Sequence, residues 1–431
     1  MPQQTGSPTV LSFEDARRVV EEQAGRARSL VTQATNATEA VDLLAAAGRV
    51  LAEPVVADRD IPPFPRSTRD GYAVRSVDLS QLPATLEVIG EIRAGGNPDL
   101  LPAQLGPRQA VSIMTGAPVP AGADAVMMVE YTSRSGTRVE ITRGAVAGEN
   151  IVPRGAEAHQ SGLLVDRGVR LNDARLALAA SVGKSRVEVY KRPRIAVLTT
   201  GDEIVGVEAT PGPTQIRNSN SYSLAAQILA AGGVPVLLPI APDETEKLRQ
   251  LIERGLQSDI LLLTGGVSMG RYDLVEPVLA ELGAEFFFTG ARIQPGRPVV
   301  FGTCGAGTPA RQGTSVLAGR KYFFGLPGNP VSTMVTFELF ARPMVEALAG
   351  MSPRQLAFLH ARMASEIRVK TGLTRFLPAI LSGEFEKSQV GLVAWQGSAD
   401  IAATARANCY VVIPPDREFI AAGEWVAVMM R

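Results

Sequence analysis

The sequence predicts a multidomain α/β protein, with a doubly wound α/β domain, an inserted β-rich domain ahead of it and a C-terminal β domain. Three observations carry this expectation. From Pro193 short apolar runs alternate with helical stretches for about 150 residues. From Pro54 to about Arg154 short Val- and Ile-rich runs are cut by Gly and Pro, and after Gly350 strand-like runs return without helices between them. At roughly 150 residues per domain, 431 residues allow about three. The expected divisions are 12–190, with the β-rich insert at about 57–157, then 191–348 and 352–431.

The elements follow in order. Ser12 has the character of an N-cap, with Glu14 and Asp15 in the first turn of a helix running toward Leu30. LEVIG, AVSIMTGAPVP, DAVMMVE and TRVEIT read as strands of the insert. Asn172 or Asp173 opens the helix ARLALAASV, and Gly183 ends it. Ile195–Thr199 is an unbroken apolar run, as a parallel strand covered on both faces requires. A helix from about Ser221 to Ala231 stops at Gly232 and Gly233, and Val234–Ile240 is the next strand. Asp243 and Glu246 have capping-box spacing ahead of Leu248, Leu251, Ile252 and Leu256, which recur at helical intervals. Ile260–Leu263 is a third buried strand, followed by a Gly-rich turn and a helix through Leu282. FLPAILSGEF, GLVAWQ, CYVVIPP and EWVAVMM supply the last strands, and there is no internal repeat.

Composition narrows the function. Lys and Arg balance Asp and Glu at 43 each, which removes the basic excess of a phosphate-gripping nucleic-acid binder. The start, MPQQTGSPTVLSFEDARR, lacks the basic and apolar regions of a signal peptide, and no run of about 18 apolar residues suggests a membrane span. Cys304 and Cys409 are too few for a disulfide framework, so a cytoplasmic address is expected. With His159 and His360 the only histidines, a zinc site is not expected, and any metal would be a hard cation such as magnesium held by carboxylates and phosphate.

Four turns stand where an open α/β sheet binds ligands, beyond the carboxyl ends of its strands. TTGDEI places Asp202 and Glu203 after the first strand, where a helix cap or a solvated turn is the plainer reading. LTGGVSMGRYD offers Gly265, Gly266 and Gly270 as a backbone nest for phosphate, against simple tight packing; Asp273 there also reads as an N-cap with Glu276 at N3. IQPGRPVV supplies Arg297, with Arg292 just upstream, and solvated arginines are the alternative. LPGNPVS places Asn329 as N-cap and Pro330 at N1 of a helix, whose start is a ready anion site or merely a well-made helix start. Four such turns in one domain favour a phosphorylated ligand.

Two decoys fall away. Gly305, Gly307 and Ala310 match a dinucleotide fingerprint, but Pro309 intervenes and no helical pattern opens there. Gly266, Ser268 and Gly270 form a G-x-S-x-G with His360 downstream, yet Asp273 is too close to Ser268 for the usual acid and no HGGG-type motif exists.

Taken together, DIPPFPRSTRDGYAV (60–74), IMTGAPVPAGADAVMMVE (113–130), RPRIAVLTTGDEIV (192–205), IRNSNSY (216–222), GGVSMGRYD, LPGNPVS and QGSADIAATARA (396–407) resemble, in order, the molybdopterin molybdenumtransferase (MoeA) family and the homologous gephyrin E domain. The resemblance runs from about residue 12 to 431. It implies a MoaB/MogA-like α/β domain, a homodimer whose active site uses both chains, and cleavage of adenylated molybdopterin to AMP as molybdate is inserted with magnesium assisting. It implies catalytic roles for Asp70, Thr115, Glu157, Glu203 and Asp273, with Glu203 and Asp273 also the metal ligands. Without it, Asp70-Gly71 reads as an ordinary turn and Thr115 as a strand-end hydroxyl. Substrate contacts are expected from Thr200, Gly201, Asp202, Gly265, Gly266, Ser268, Gly270, Arg292, Arg297, Pro327, Gly328, Asn329, Pro330 and Ser398. Transient contacts with other molybdenum-cofactor biosynthesis proteins are also implied, with no nucleic-acid or membrane partner.

The sequence departs from the family in places. Gly-Ala-Glu replaces an acidic pair at Glu157, and Gly290, Gln294 and Arg297 stand where relatives often carry lysines. The stretch from about Cys304 to Arg320 reads as an inserted surface loop. Two alternatives stay open: a molybdopterin-binding chaperone or scaffold without turnover, and another nucleotide-cleaving enzyme of the MoaB-like group.

Overall fold

The structure is a computed structural model that describes residues 9–96, 104–266, 274–305 and 320–431. Ser268, Gly270, Asp273 and most of the expected inserted loop lie outside the described residues. The chain forms two compact units. One comprises residues up to Ala52, Gly168–Leu171 and Val187–Arg431; the other comprises Glu53–Arg167 and Asn172–Arg186.

The first unit opens with α1, Phe13–Gln33, capped by Ser12, whose Oγ accepts from the Asp15 amide at 3.0 Å. Such a cap is worth about 1 kcal/mol. Ala16, Val20, Ala27 and Val31 recur at helical spacing and are buried with Phe340, Met344 and Leu348.

In the second unit, six strands build one sheet: β1 (Gly71–Val74), β2 (Ala84–Ile92), β3 (Gln109–Ile113), β4 (Ala125–Met128), β5 (Thr132–Ser135) and β6 (Arg138–Ile141), in the order β4-β1-β3-β2-β6-β5. Tyr72 and Val74 enter one core with Leu86 and Val139, while Ala73 enters another with Val111 and Val126, the two-residue period of a sheet covered on both faces. Gly71 is required here, because a Cβ would fall 1.8 Å from the Met127 carbonyl oxygen across the β1–β4 pair. Helix α2, Asp173–Ser181, is capped by Asn172, and Gly183 follows it at φ +79°.

The α/β sheet of the first unit contains β7 (Arg194–Thr199), β8 (Val234–Leu237), β9 (Ile260–Thr264), β10 (Glu285–Phe288), β11 (Val300–Cys304) and β12 (Lys321–Leu326). Their order is β8-β7-β9-β12-β11-β10, with the first four parallel and β11 antiparallel to both neighbours. Ile195, Val197, Ile260 and Leu262 face one apolar core and Ala196, Leu198, Leu261 and Leu263 the other. Helices α3 (Asn220–Ala231), α4 (Thr245–Gly255) and α5 (Val275–Glu281) intervene. Helix α6 (Pro330–Thr336) continues through a π-helical segment, Phe337–Ala341, into α7 (Arg342–Leu348).

The expected capping box at Asp243 does not form. Glu244 takes the N-cap position without a side-chain bond, so the box residues are out of step by one. The Asp243 amide instead donates to Asp202 Oδ1 at 3.1 Å.

The C-terminal strands β13 (Leu359–Met363), β14 (Thr374–Ser382), β15 (Gln389–Leu392), β16 (Cys409–Ile413) and β17 (Trp425–Met430) close on themselves. The order β14-β15-β13-β17-β16 returns by a β16–β14 pairing to make a small barrel around Ala361, Leu377, Val411 and Val428. A short helix, α8 (Ile401–Arg406), lies between β15 and β16 and is capped by Asp400.

Candidate functional site

In the first unit the carboxyl ends of β7, β9 and β12 meet. The Thr200 amide donates to the Thr264 carbonyl at 3.0 Å, and the Gly201 amide to the Ala241 carbonyl at 3.2 Å. Gly265 has φ +91°, and a Cβ there would stand 2.6 Å from the Thr200 carbonyl oxygen. Gly201 has φ +133°, and its Cβ would meet Glu203 Oε2 at 2.4 Å. Gly265 lets the ends of β7 and β9 approach more closely than a side chain allows, and Gly201 leaves room for the Glu203 carboxylate.

Below them, Asn220 at the start of α3 donates through Nδ2 to Thr264 Oγ1 at 2.9 Å and to the Gly328 carbonyl at 2.7 Å. Thr333 Oγ1 donates to the Pro327 carbonyl at 2.5 Å. Among the described residues, Thr200 Oγ1 and Asn220 Oδ1 are both buried and have no hydrogen-bond partner. Buried polar atoms are nearly always paired, so two orphans at one set of strand ends mark it as functional ground.

Asn329 is the N-cap of α6 by position and Pro330 its first residue, but the Asn329 side chain makes no cap. Its Nδ2 donates instead to Ser398 Oγ at 2.9 Å, and the Val331 amide, which a cap would take, donates to the Ser398 carbonyl at 3.0 Å. Asp400 stiffens the Ser398 segment by accepting from the Gln396 and Ala403 amides. The Ala403 and Gln396 amides also hold its carboxyl below the ordinary 3.8.

Arg292 and Arg297 are exposed in a loop whose ends meet, the Ala291 amide donating to the Arg297 carbonyl at 3.0 Å. Gln294, also exposed, lies in a two-residue strand that pairs with β14 at Arg375. Asp202 and Glu203 are exposed beside Asp243 and Gly201 respectively.

The second unit holds its own group. Asp70 Oδ1 accepts from the Thr115 amide at 2.6 Å and from Thr115 Oγ1 at 2.8 Å. First the amide and then the hydroxyl hold the Asp70 carboxyl below its ordinary 3.8. Asp70 and Thr115 are thus a joined pair, which neither the turn nor the strand-end reading required. Glu157 pairs instead with Arg66, 2.7 Å from Nη2, both partners being about half exposed.

Three residues of the strand-end group escaped sequence reasoning. Asp243 reads in sequence as a cap, Asn220 lies inside the IRNSNSY motif with nothing to single it out, and Thr264 ends an apolar run. A polar residue opening an apolar helix was the available signal for Asn220.

Comparison with known proteins agrees with this architecture. Residues 11–183 match the family described as MoeA N-terminal region (domain I and II), 196–347 the probable molybdopterin binding domain, and 360–430 the MoeA C-terminal region (domain IV). The molybdopterin molybdenumtransferase of Nostoc sp. is 34% identical over 401 residues, covering 91% of this chain and 88% of that protein. The enzyme of that name from Bacillus subtilis is 32% identical, covering 91% and 90%. A crystal structure of the molybdopterin biosynthesis moeA protein from Pyrococcus horikoshii OT3 superposes with a TM-score of 0.74 at 26% identity, covering 98% of this chain and 100% of that one. The chain belongs to the molybdopterin molybdenumtransferase (MoeA) family.

Proposed function

We propose that this chain is a molybdopterin molybdenumtransferase, with adenylated molybdopterin and molybdate as substrates and AMP as the released product. The observation that carries the proposal is the junction of three glycine-bearing strand ends over Asn220, next to the Asn329–Ser398 pair. The turns at Gly201, Gly265 and Gly328 carry no side chain that would keep phosphate oxygens from the backbone there. The exposed guanidinium groups of Arg292 and Arg297 suit further anionic oxygens.

Within this reading, Glu203 orients water for attack on the phosphoanhydride; Asp202 precedes it in sequence and accepts from the Asp243 amide. Asp273 belongs to the same proposed machinery. Asp70 and Thr115, joined as they are, and Glu157 are proposed for the same reaction, with substitution as their test. The 12–190, 191–348 and 352–431 divisions are proposed as its functional domains.

Magnesium is part of the proposal. Among the described residues no three His, Cys, Asp or Glu side chains gather as a cage. Magnesium does not need one, because it keeps waters and binds through one or two carboxylates together with substrate phosphate. The exposed Glu203 carboxylate, folded over the bare Cα of Gly201, fits that looser role, with Asp273 as its companion. Such a cation supplies charge neutralisation at phosphate oxygens. A homodimer and a cytoplasmic location complete the reading; among the described residues no helix is long and apolar enough to cross a membrane.

The test is AMP release from adenylated molybdopterin, with and without molybdate and magnesium, alongside activation of an apo-molybdoenzyme. Molybdate-dependent release with activation is expected. Tight pterin binding with no release would replace the transferase with a chaperone.

A further inference from the structure

Asn220 stands where three strand-end loops meet, is 7% exposed, and lies outside every set of residues assigned above to substrate. Its amide nitrogen makes two bonds, to Thr264 Oγ1 at the end of β9 and to the Gly328 carbonyl ahead of α6. Thr264 Oγ1 donates in turn to the Pro327 carbonyl at 3.3 Å, and Thr333 Oγ1 reaches the same carbonyl from α6. The Pro327–Gly328 turn is therefore held by three side chains, and Asn220 is the one that bonds both to Thr264 of β9 and to the Gly328 carbonyl.

The chemistry of the residue is specific. An amide offers two donors from one nitrogen, whereas a carboxylate offers none. Aspartate would bring acceptors against the Gly328 carbonyl and turn the Thr264 hydroxyl away from Pro327. A shorter side chain would leave both partners unmatched in a buried setting. Among the described residues, Asn220 Oδ1 and Thr200 Oγ1 are buried side-chain oxygens of this junction left unpaired, and Gly265 lies against the second, its Cβ position 3.0 Å from Thr200 Oγ1.

We infer that Asn220 is a positioning residue for nucleotide binding: it sets the spacing between the Gly265 and Gly328 turns that receives the phosphate. It touches no reacting atom. The inference rests on the proposed transferase reading and adds to it a residue that acts through loop geometry.

The experiment uses the full chain carrying Asn220→Ala or Asn220→Asp. AMP affinity is measured by calorimetry, and amide exchange at Gly265 and Asn329 by hydrogen-exchange NMR or mass spectrometry. For both variants the expected result is AMP binding weakened at least tenfold and faster exchange at those amides. Their KM for adenylated molybdopterin should rise in proportion, with kcat held within threefold. A merely structural role would lower the folded, active fraction, and so kcat, while leaving KM alone; that outcome overturns the inference. So does AMP affinity within twofold of the parent in a folded variant. A parent chain that binds AMP but never releases it from adenylated molybdopterin defeats the transferase reading only, and the affinity and exchange measurements still decide Asn220.

Discussion

Replacing Gly265 by alanine tests whether close approach of the strand ends is what the site requires. The new Cβ would lie 2.6 Å from the Thr200 carbonyl oxygen, about 0.8 Å inside ordinary van der Waals contact, in a backbone at φ +91°. A left-handed conformation costs an L-residue roughly 1–2 kcal/mol. Overpacking against a backbone atom adds about 1–3 kcal/mol. The expected loss is therefore about 2–5 kcal/mol in the unit that contains β7 and β9. Gly283, at φ +76° with nothing within 4 Å of its Cβ position, supplies the control, since Gly283→Ala carries only the conformational cost. Both tryptophans of the chain, Trp395 and Trp425, belong to this unit, so urea unfolding followed by tryptophan fluorescence reads it selectively. The expected order is parent, Gly283→Ala, then Gly265→Ala, with AMP affinity lost only in the last. If Gly265→Ala matches Gly283→Ala in midpoint and binds AMP like the parent, the crowding argument is wrong.

The remaining predictions concern charge and hydrogen bonding. Thr115→Val keeps the backbone donor to Asp70 but removes the hydroxyl, so the Asp70 carboxyl should titrate nearer to 3.8. Because the folded value is lowered, the contribution of Asp70 to stability is complete above the unfolded value and fades as pH falls through the folded one. Carboxyl-carbon NMR across pH 2–6 (roughly the window for a carboxylate) checks this, and an unmoved titration in the variant counts against the hydroxyl. Glu203→Ala and Asp273→Asn should each abolish AMP release while circular dichroism and sedimentation stay as in the parent; near-normal turnover in both would remove these carboxylates from the mechanism. Ser398→Ala deletes the 2.9 Å bond from Asn329, at a stability cost of about 1 kcal/mol. Its AMP affinity should fall several-fold, and calorimetry showing parental affinity would detach Ser398 from the ligand.

What could be read ahead of the structure depended on whether the cause was local. β7 and β9 were visible because strands buried on both faces leave unbroken apolar runs, and Ser12 and Asn172 because a cap and its amide lie three residues apart. The strand-end location of the glycine-bearing turns followed from the same alternation. Choices made over long separations were not visible. Asn329 looks like a cap until Ser398, 69 residues later, takes its side chain. Asp243 looks like half of a capping box until Asp202, 41 residues earlier, takes its amide. The pairing of Asp70 with Thr115 spans 45 residues and links two motifs that the sequence offers only as neighbours in a series.

The burial of α1 against the far end of the chain has a consequence for synthesis. Arg17, 8% exposed, donates to the Leu339 carbonyl, 322 residues later, and the apolar face of the helix packs on α7. At about 5–20 residues per second, a ribosome takes on the order of 16–64 s to deliver that partner after the helix has emerged. During that interval Ala16, Val20, Ala27 and Val31 lack the α7 surface that covers them, while the unit built from Glu53–Arg167 and Asn172–Arg186 becomes complete in sequence about halfway through. The nascent chain thus carries one finished unit and one waiting amphipathic helix, and that helix is where a ribosome-associated chaperone would find an early and lasting grip.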